Sequence, residues 1–313
     1  IGPIICGRPI FLKQKNFLGG NRNFLKKKQL LKPYNGSMKT KISTKLISSL
    51  KSRAFNVRRN IITVSAKAGS VHIASALSPV DILVTLYFDV LNVDPKHSGN
   101  PNRDRFILSK GHGGLGLYCV LAERGFISEK LLSKYGQDGS ILTVHPVLGA
   151  VPGIEATTGS LGHGLGMGLG MALVQKRDKK LGRVFVLLSD AECDEGSTWE
   201  AVMLAGHLKL DNLIVVIDYN KLQCYGKVKD VLDLEPFADK WRANRWEAVE
   251  VNGHKFEELV PVLRNIPKKD GKPTVVIAHT IRGKGVPFME NNLEWYYLNI
   301  KPGDLDKTLA EIY

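Results

Sequence analysis

Two short apolar runs, Val184-Phe185-Val186-Leu187-Leu188 and Leu213-Ile214-Val215-Val216-Ile217, set the frame for the whole chain. Uninterrupted aliphatic and β-branched runs of this length predict strands buried on both faces, as in a parallel sheet. Trp246–Val251 and Thr274–Ala278 predict two more strands, and Arg105–Lys110 a short one. Between these runs the pattern changes to helical spacing. Ser78-Pro79 predicts the opening of an apolar helix over Val80–Leu91, with a serine cap and a proline in the first turn. Further helices are expected from the Gly111-His112-Gly113-Gly114 turn to Arg124, after the Ser128-Glu129 cap, over Ser197–Leu208 and over Leu305–Ile312. This alternation from Lys45 onward predicts an α/β fold: a doubly wound, mostly parallel sheet with helices on both faces.

The segment Gly159–Ala172 reads as a tightly packed helix in which Gly162, Gly166 and Gly170 recur at i, i+4 spacing. Each interior glycine costs a helix roughly 1 kcal/mol, so a stripe of them is expected to meet another backbone or a ligand closely. The chemistry is expected just beyond the two central strands. Ser189-Asp190-Ala191-Glu192 ends the first, and Asp218-Tyr219-Asn220-Lys221 ends the second. Open α/β sheets bind ligands beyond the carboxyl ends of their strands. An aspartate carboxylate and an asparagine carbonyl placed there are hard oxygen ligands suited to Mg²⁺, which completes its octahedron with phosphate oxygens and water.

Charge changes this picture only at one end. The net charge is +14, but residues 1–60 hold 15 Lys or Arg and no acid, leaving 29 basic and 30 acidic side chains in the remainder. The body is close to neutral, and the basicity belongs to an arm over residues 1–37. That arm reads as a disordered extension upstream of Met38, as an acid-free organellar transit segment, or as a basic tail for a nucleic acid or membrane surface. Residues 38–300 are expected as the folded domain and 301–313 as a tail. No run approaches the roughly 20 apolar residues of a membrane span. Cys6, Cys119, Cys193 and Cys224 lack CxxC spacing, which argues against a zinc cluster or disulfide framework and for a reducing, cytoplasmic setting.

From about Lys45 to Asn299 the chain resembles the amino-terminal half of transketolases, the thiamine-diphosphate-binding domain. The resemblance rests on Ser189-Asp190-Ala191 with Asn220, Leu108-Ser109-Lys110-Gly111-His112, Val144-His145-Pro146, Pro152-Gly153-Ile154-Glu155 and Thr158-Gly159-Ser160-Leu161-Gly162. Glu195-Gly196, Lys209-Leu210-Asp211-Asn212-Leu213 and Gly283-Lys284-Gly285-Val286 add to it. It implies that Asp190, Asn220 and the Leu222 carbonyl hold Mg²⁺ bound to thiamine diphosphate. Ser189 and Ala191 would present backbone to the phosphates, and Gly159 and Leu161 would approach the aminopyrimidine. Glu195 would join the carboxylate network that activates the cofactor. His72, His112 and His145 match active-site histidines near the diphosphate, thiazolium or substrate hydroxyls, a residue type suited to proton exchange near neutral pH. The implied activity is transfer of a two-carbon ketol unit from a ketose, often phosphorylated, to an aldose.

The chain also departs from the family pattern. Ser189 and Ala191 replace two glycines, which would strain any position needing φ > 0. Tyr296 stands where family members carry a histidine, and a phenol with pKa near 10 is a poor base at neutral pH. No counterpart of the family's pyrimidine-binding domain follows. The expectation is therefore one subunit of a split transketolase that pairs with a separate carboxyl-terminal subunit, in a dimer of such pairs. A non-catalytic thiamine-diphosphate-binding partner and a decarboxylating synthase of the deoxyxylulose phosphate type remain as alternatives. Gly111-x-Gly113-x-x-Gly116 also matches a dinucleotide fingerprint, but its acidic partner, Asp138, falls in a polar turn. The body shows no basic patch interleaved with aromatics, so nucleic acid is not expected as a ligand.

Overall fold

The computed structural model describes residues 42–266 and 271–313. The readings of the basic arm, residues 1–37 and Cys6 among them, lie outside the described residues. In chain order the elements are α1 (Thr44–Ala68), α2 (Ile73–Leu77), α3 (Val80–Thr85), β1 (Arg105–Leu108), α4 (Gly114–Arg124), α5 (Glu129–Leu132), α6 (Gly164–Arg177) and β2 (Val184–Ser189). There follow α7 (Gly196–His207), β3 (Leu213–Tyr219), a small hairpin of β4 (Leu222–Gln223) and β5 (Gly226–Lys227), α8 (Val228–Val231) and α9 (Phe237–Ala243). The chain continues through β6 (Glu247–Asn252), α10 (Phe256–Arg264), β7 (Thr274–His279) and α11 (Leu305–Ala310).

The main sheet has five strands in the order β1-β2-β3-β7-β6, and every pairing in it is parallel. Side chains alternate across a strand, so each central strand feeds two cores. Phe185, Leu187, Ile214 and Val216 pack on one side with α1, α3, α4 and α10. Val184, Val186, Leu188, Val215 and Ile217 pack on the other with α6, α7 and α9. This is the expected doubly wound arrangement, and it explains why β2 and β3 read as unbroken apolar runs rather than as alternating ones. Register aligns Ser189 with Asp218, so the segments beyond β2 and β3 emerge side by side at the carboxyl edge.

Two local readings need correction. Helix α3 opens at Val80 as expected and runs into a wide turn over Leu86–Val90, with the short α2 just before it, but the expected serine cap is absent. Ser78 caps nothing with its side chain; its hydroxyl donates to Asp218 instead, at 2.5 Å. The apolar stretch Ile73–Val90 is a core element, 89% buried. The second correction concerns the glycine stripe, since the helix starts only at Gly164 and two of the three stripe glycines, Gly166 and Gly170, meet nothing. A Cβ at Gly166 or Gly170 would meet nothing within 4 Å, whereas one at Gly164 would strike Ser109 and one at Gly168 would lie 2.5 Å from Val186. Of the expected stripe only Gly162 is closely approached, with an added Cβ 2.6 Å from the Glu195 side chain, while inside α6 the close packing falls on Gly164 and Gly168. At the other end, the 301–313 segment docks against the domain, with Thr308 and Ile312 buried and α11 against α1.

Candidate functional site

Four strand ends converge on one cleft: Ser109-Lys110 after β1, Ser189-Asp190 after β2, Asp218–Asn220 at β3, and Thr280–Arg282 after β7. At its floor lies a buried ion pair, with Lys110 Nζ donating to Asp218 Oδ2 at 2.6 Å and to the Ser75 carbonyl at 3.2 Å. Both side chains are wholly buried. Ser78 and Thr280 donate to the other Asp218 oxygen. Burial opposes ionisation of Asp218, but Lys110 and the two hydroxyls outweigh it and hold the carboxyl below its usual range. Removing one partner of such a pair costs about 3–5 kcal/mol, because the other charge is then stranded in low dielectric.

Asp190 sits above this pair and is 1% exposed. It accepts from the Ala191 and Lys221 amides at 2.8 and 2.6 Å. Those bonds do not offset its burial and the nearby Asp218 charge, which together push its pKa up to about 7. Asn220 is also buried, and its Oδ1 accepts from the Leu222 amide at 3.0 Å. Among the described residues no three His, Cys, Asp or Glu side chains gather to hold a metal. A cation at Asp190 would instead draw on Asn220, a backbone carbonyl such as that of Leu222, and oxygens of a ligand. Ser189 and Ala191 cause no strain where the family has glycines, since neither takes a positive φ.

The loops over this floor are fitted backbone to backbone. A Cβ at Gly111 would lie 2.7 Å from the Gly159 amide nitrogen, and one at Gly159 (φ +149°) would lie 3.2 Å from the His145 ring. That contact brings His112, His145 and Gly159 together from three separate segments. Glu192, fully buried, secures the same region from below. It accepts from the Ser189 amide at 2.9 Å, from the Gly162 amide at 3.1 Å and from the Ser109 hydroxyl.

His72 and His112 face each other with ring centroids 5.7 Å apart. Burial first, then the Arg282, His145 and Lys110 charges, lower His72 to about 4. Burial, Lys110 and Arg282 drive His112 well below the usual imidazole value as well, and burial lowers His145. All three are therefore neutral at pH 7, able to donate with one ring nitrogen and accept with the other. Tyr296 stands edge-on to His72 at 5.5 Å, and the Arg282 guanidinium lies 4.3 Å from the Tyr296 ring centre. Burial raises the Tyr296 phenol above its normal value. The tyrosine therefore enters the cleft as a hydrogen-bonding and cation-stacking group.

Sequence reasoning located Asp190, Asn220, His72, His112, His145, Gly159 and Tyr296, and the fold brings them to this cleft. Leu161 lies on the loop above, and Glu195 is exposed on the rim at the start of α7. Sequence reasoning assigned no role to four residues of the cleft: Lys110, Glu192, Asp218 and Arg282. Three lie within quoted motifs and Arg282 adjoins one, but only the fold shows that they share one space. Arg282 is the most telling. It is 2% exposed, and its Nε and Nη2 have no hydrogen-bond partner, while Nδ1 of His72 is likewise buried and unpaired. A buried guanidinium without partners is costly and normally finds an anion. The cleft thus presents a carboxylate short of a cation beside a guanidinium short of an anion, which suits a metal-bound diphosphate. The dinucleotide reading fails here, because Asp138 is an exposed turn residue remote from any strand end and Gly111 is filled by the Gly159 loop.

Comparison with known proteins agrees with this geometry. Residues 51–308 match the family described as "Transketolase, thiamine diphosphate binding domain". An apulose-4-phosphate transketolase subunit from Actinobacillus succinogenes is 43% identical over 265 residues, covering 84% of this chain and 95% of that protein. A 6-deoxy-6-sulfo-D-fructose transketolase subunit of a Clostridium species is 37% identical over 263 residues, 84% of this chain and 96% of that one. The solved structure of Campylobacter jejuni transketolase superposes with a TM-score of 0.77 at 29% identity, over 84% of this chain. This chain spans only 42% of the length of that protein, and the same share of human transketolase.

Proposed function

The chain belongs to the thiamine-diphosphate-binding-domain family of transketolases, and on that basis we propose that it is the amino-terminal subunit of a split ketol-transferring enzyme. It would bind thiamine diphosphate with Mg²⁺ and act with a second chain that carries the pyrimidine-binding half of the site. The observation that carries this reading is the buried Arg282 guanidinium, with two nitrogens lacking a partner, sharing the carboxyl edge of the sheet with a buried Asp190 that no cation among the described residues neutralises. Similarity to proteins named as transketolase subunits, matched over nearly their whole length, supports the split arrangement. The names of two of them specify ketoses with an anionic end, a phosphate or a sulfonate, and a donor of that class is proposed here.

Within this reading Asp190, Asn220 and the Leu222 carbonyl hold the metal, and Arg282 neutralises diphosphate oxygens. Thiamine diphosphate, when bound, supplies the carbon nucleophile and electron sink that side chains lack. The chain's own groups orient and protonate. His72, His112 and His145, all neutral, hydrogen-bond substrate hydroxyls and pass protons, while Tyr296 donates a hydrogen bond and stacks on Arg282. Glu195, exposed on the rim, would be open to a group from the partner chain.

Co-expression with a candidate carboxyl-terminal subunit, followed by a ketol-transfer assay, tests the proposal, with Asp190→Ala alongside. The expected outcome is activity from the pair, none from the chain alone, and loss of Mg²⁺-dependent cofactor binding in Asp190→Ala by calorimetry. Strong transfer by the isolated chain, or unchanged affinity in the variant, overturns it. Tyr296 in the family's histidine position favours a second reading, a cofactor-binding subunit without catalysis. Full cofactor binding by the pair with no turnover on any ketose would select that reading.

A further inference from the structure

Arg282 is useful to an anion only if its loop is held still, and the loop is gripped from beneath at both ends. Ile281 donates its backbone amide to His254 Nε2 at 2.8 Å. Three residues on, the Lys284 carbonyl accepts from Arg58 Nε at 3.1 Å. Both side chains converge on one carboxylate: Asp81 Oδ2 accepts from Arg58 Nη2 at 2.6 Å and lies 2.8 Å from His254 Nδ1. Because Nε2 of His254 receives the Ile281 amide, the ring proton must sit on Nδ1, where it donates to Asp81. The arrangement is internal, with Arg58 and Asp81 6% and 4% exposed. Arg58 passes directly beneath Gly285 (φ +94°), where a Cβ would lie 2.6 Å from its side chain.

The three residues come from α1, α3 and the turn between β6 and α10, none of which supplies a group to the cleft. A stability role alone would not require both contacts to fall on backbone atoms flanking Arg282. We propose that Arg58, Asp81 and His254 are a positioning triad that fixes the Ile281–Lys284 loop and so aims the Arg282 guanidinium at the anionic group of the cofactor. This rests on the functional reading above. His254, which no sequence motif marks, is then a positioning residue whose tautomer is set by Asp81.

The test uses the full chain as His254→Leu, His254→Gln and Arg282→Met, with the double variant His254→Leu/Arg282→Met. Amide hydrogen exchange reads the loop directly: His254→Leu should speed exchange at Ile281 by about tenfold, the loss of one hydrogen bond. Glutamine, which offers an acceptor near the Nε2 position, should restore most of the protection. Calorimetric titration with Mg²⁺ and thiamine diphosphate reads the consequence. His254→Leu should weaken binding by about tenfold with Arg282 present and by less than about twofold in the Arg282→Met background, since a residue acting through another loses its effect when that residue is gone. Equal weakening in both backgrounds, or unchanged exchange at Ile281, overturns the proposal. Failure of the unaltered chain to bind the cofactor would instead count against the functional reading, and the exchange data would still decide whether the triad holds the loop.

Discussion

His72 shows how far a single residue departs from its free behaviour in this cleft. Its backbone is left-handed (φ +66°), a conformation that costs most residues energy and is tolerated best by glycine and asparagine. The ring it presents is pushed down to about 4 by burial and by the neighbouring Arg282, His145 and Lys110 charges. A histidine whose folded value lies below its unfolded value takes up more protons when unfolded, so stability falls as pH drops from about 6.5 toward 4 and is unaffected above that window. His112 shifts in the same direction and adds to the slope. The expected outcome is a cofactor-free chain whose thermal midpoint declines between about pH 6.5 and about pH 4.5, with a visibly shallower decline in His72→Asn. Asparagine keeps the left-handed turn and removes the titration. An identical slope in the variant, followed by circular dichroism, would show that other groups set the acid limit.

At the scale of the element, helix α6 separates two kinds of glycine that look alike in sequence. Gly168 faces the sheet, where a methyl group would press on Val186 at 2.5 Å. Gly168→Ala should therefore destabilise the chain by about 1–3 kcal/mol, the usual penalty for overpacking. Gly166 and Gly170 face open space, so alanine there relieves only the entropic cost of glycine and should stabilise the isolated chain by about 0.5–1 kcal/mol each. Urea denaturation of the single variants checks both signs. Stabilisation by Gly168→Ala would mean that the packing seen between α6 and β2 is wrong.

At the scale of the whole molecule, helices α6 and α7 leave Leu173, Val174, Met203 and Leu204 exposed on neighbouring surfaces that start at the rim of the cleft, near His163 and Glu195. Large apolar side chains left exposed on two helices whose amino-terminal ends border the cleft fit burial by a second chain. Leu173→Glu with Met203→Glu should leave the isolated chain's stability within about 0.5 kcal/mol per site, as surface changes do, yet prevent assembly with a carboxyl-terminal subunit. Light scattering of the mixed chains measures this. Intact assembly in the double variant would place the partner elsewhere.

Local pattern alone dictates a definite share of this protein. Short β-branched runs bounded by polar turns read as strands buried on both faces, and Asp190 and Asn220 just beyond them read as a ligand edge. The histidines are marked only by the resemblance to a family. Local pattern misleads where the outcome depends on which surfaces meet. Ser78 resembles a helix cap, and its hydroxyl becomes a ligand of Asp218 only because β3 emerges beside α2 and α3. Gly166 and Gly168 are indistinguishable along the chain, and only the rotation of α6 against the sheet tells them apart. Arg282, Lys110 and Asp218 are far apart in sequence. Their shared burial, and with it the orphaned guanidinium and the neutral histidines, arises from bringing distant charges into one low-dielectric space, which no local pattern encodes.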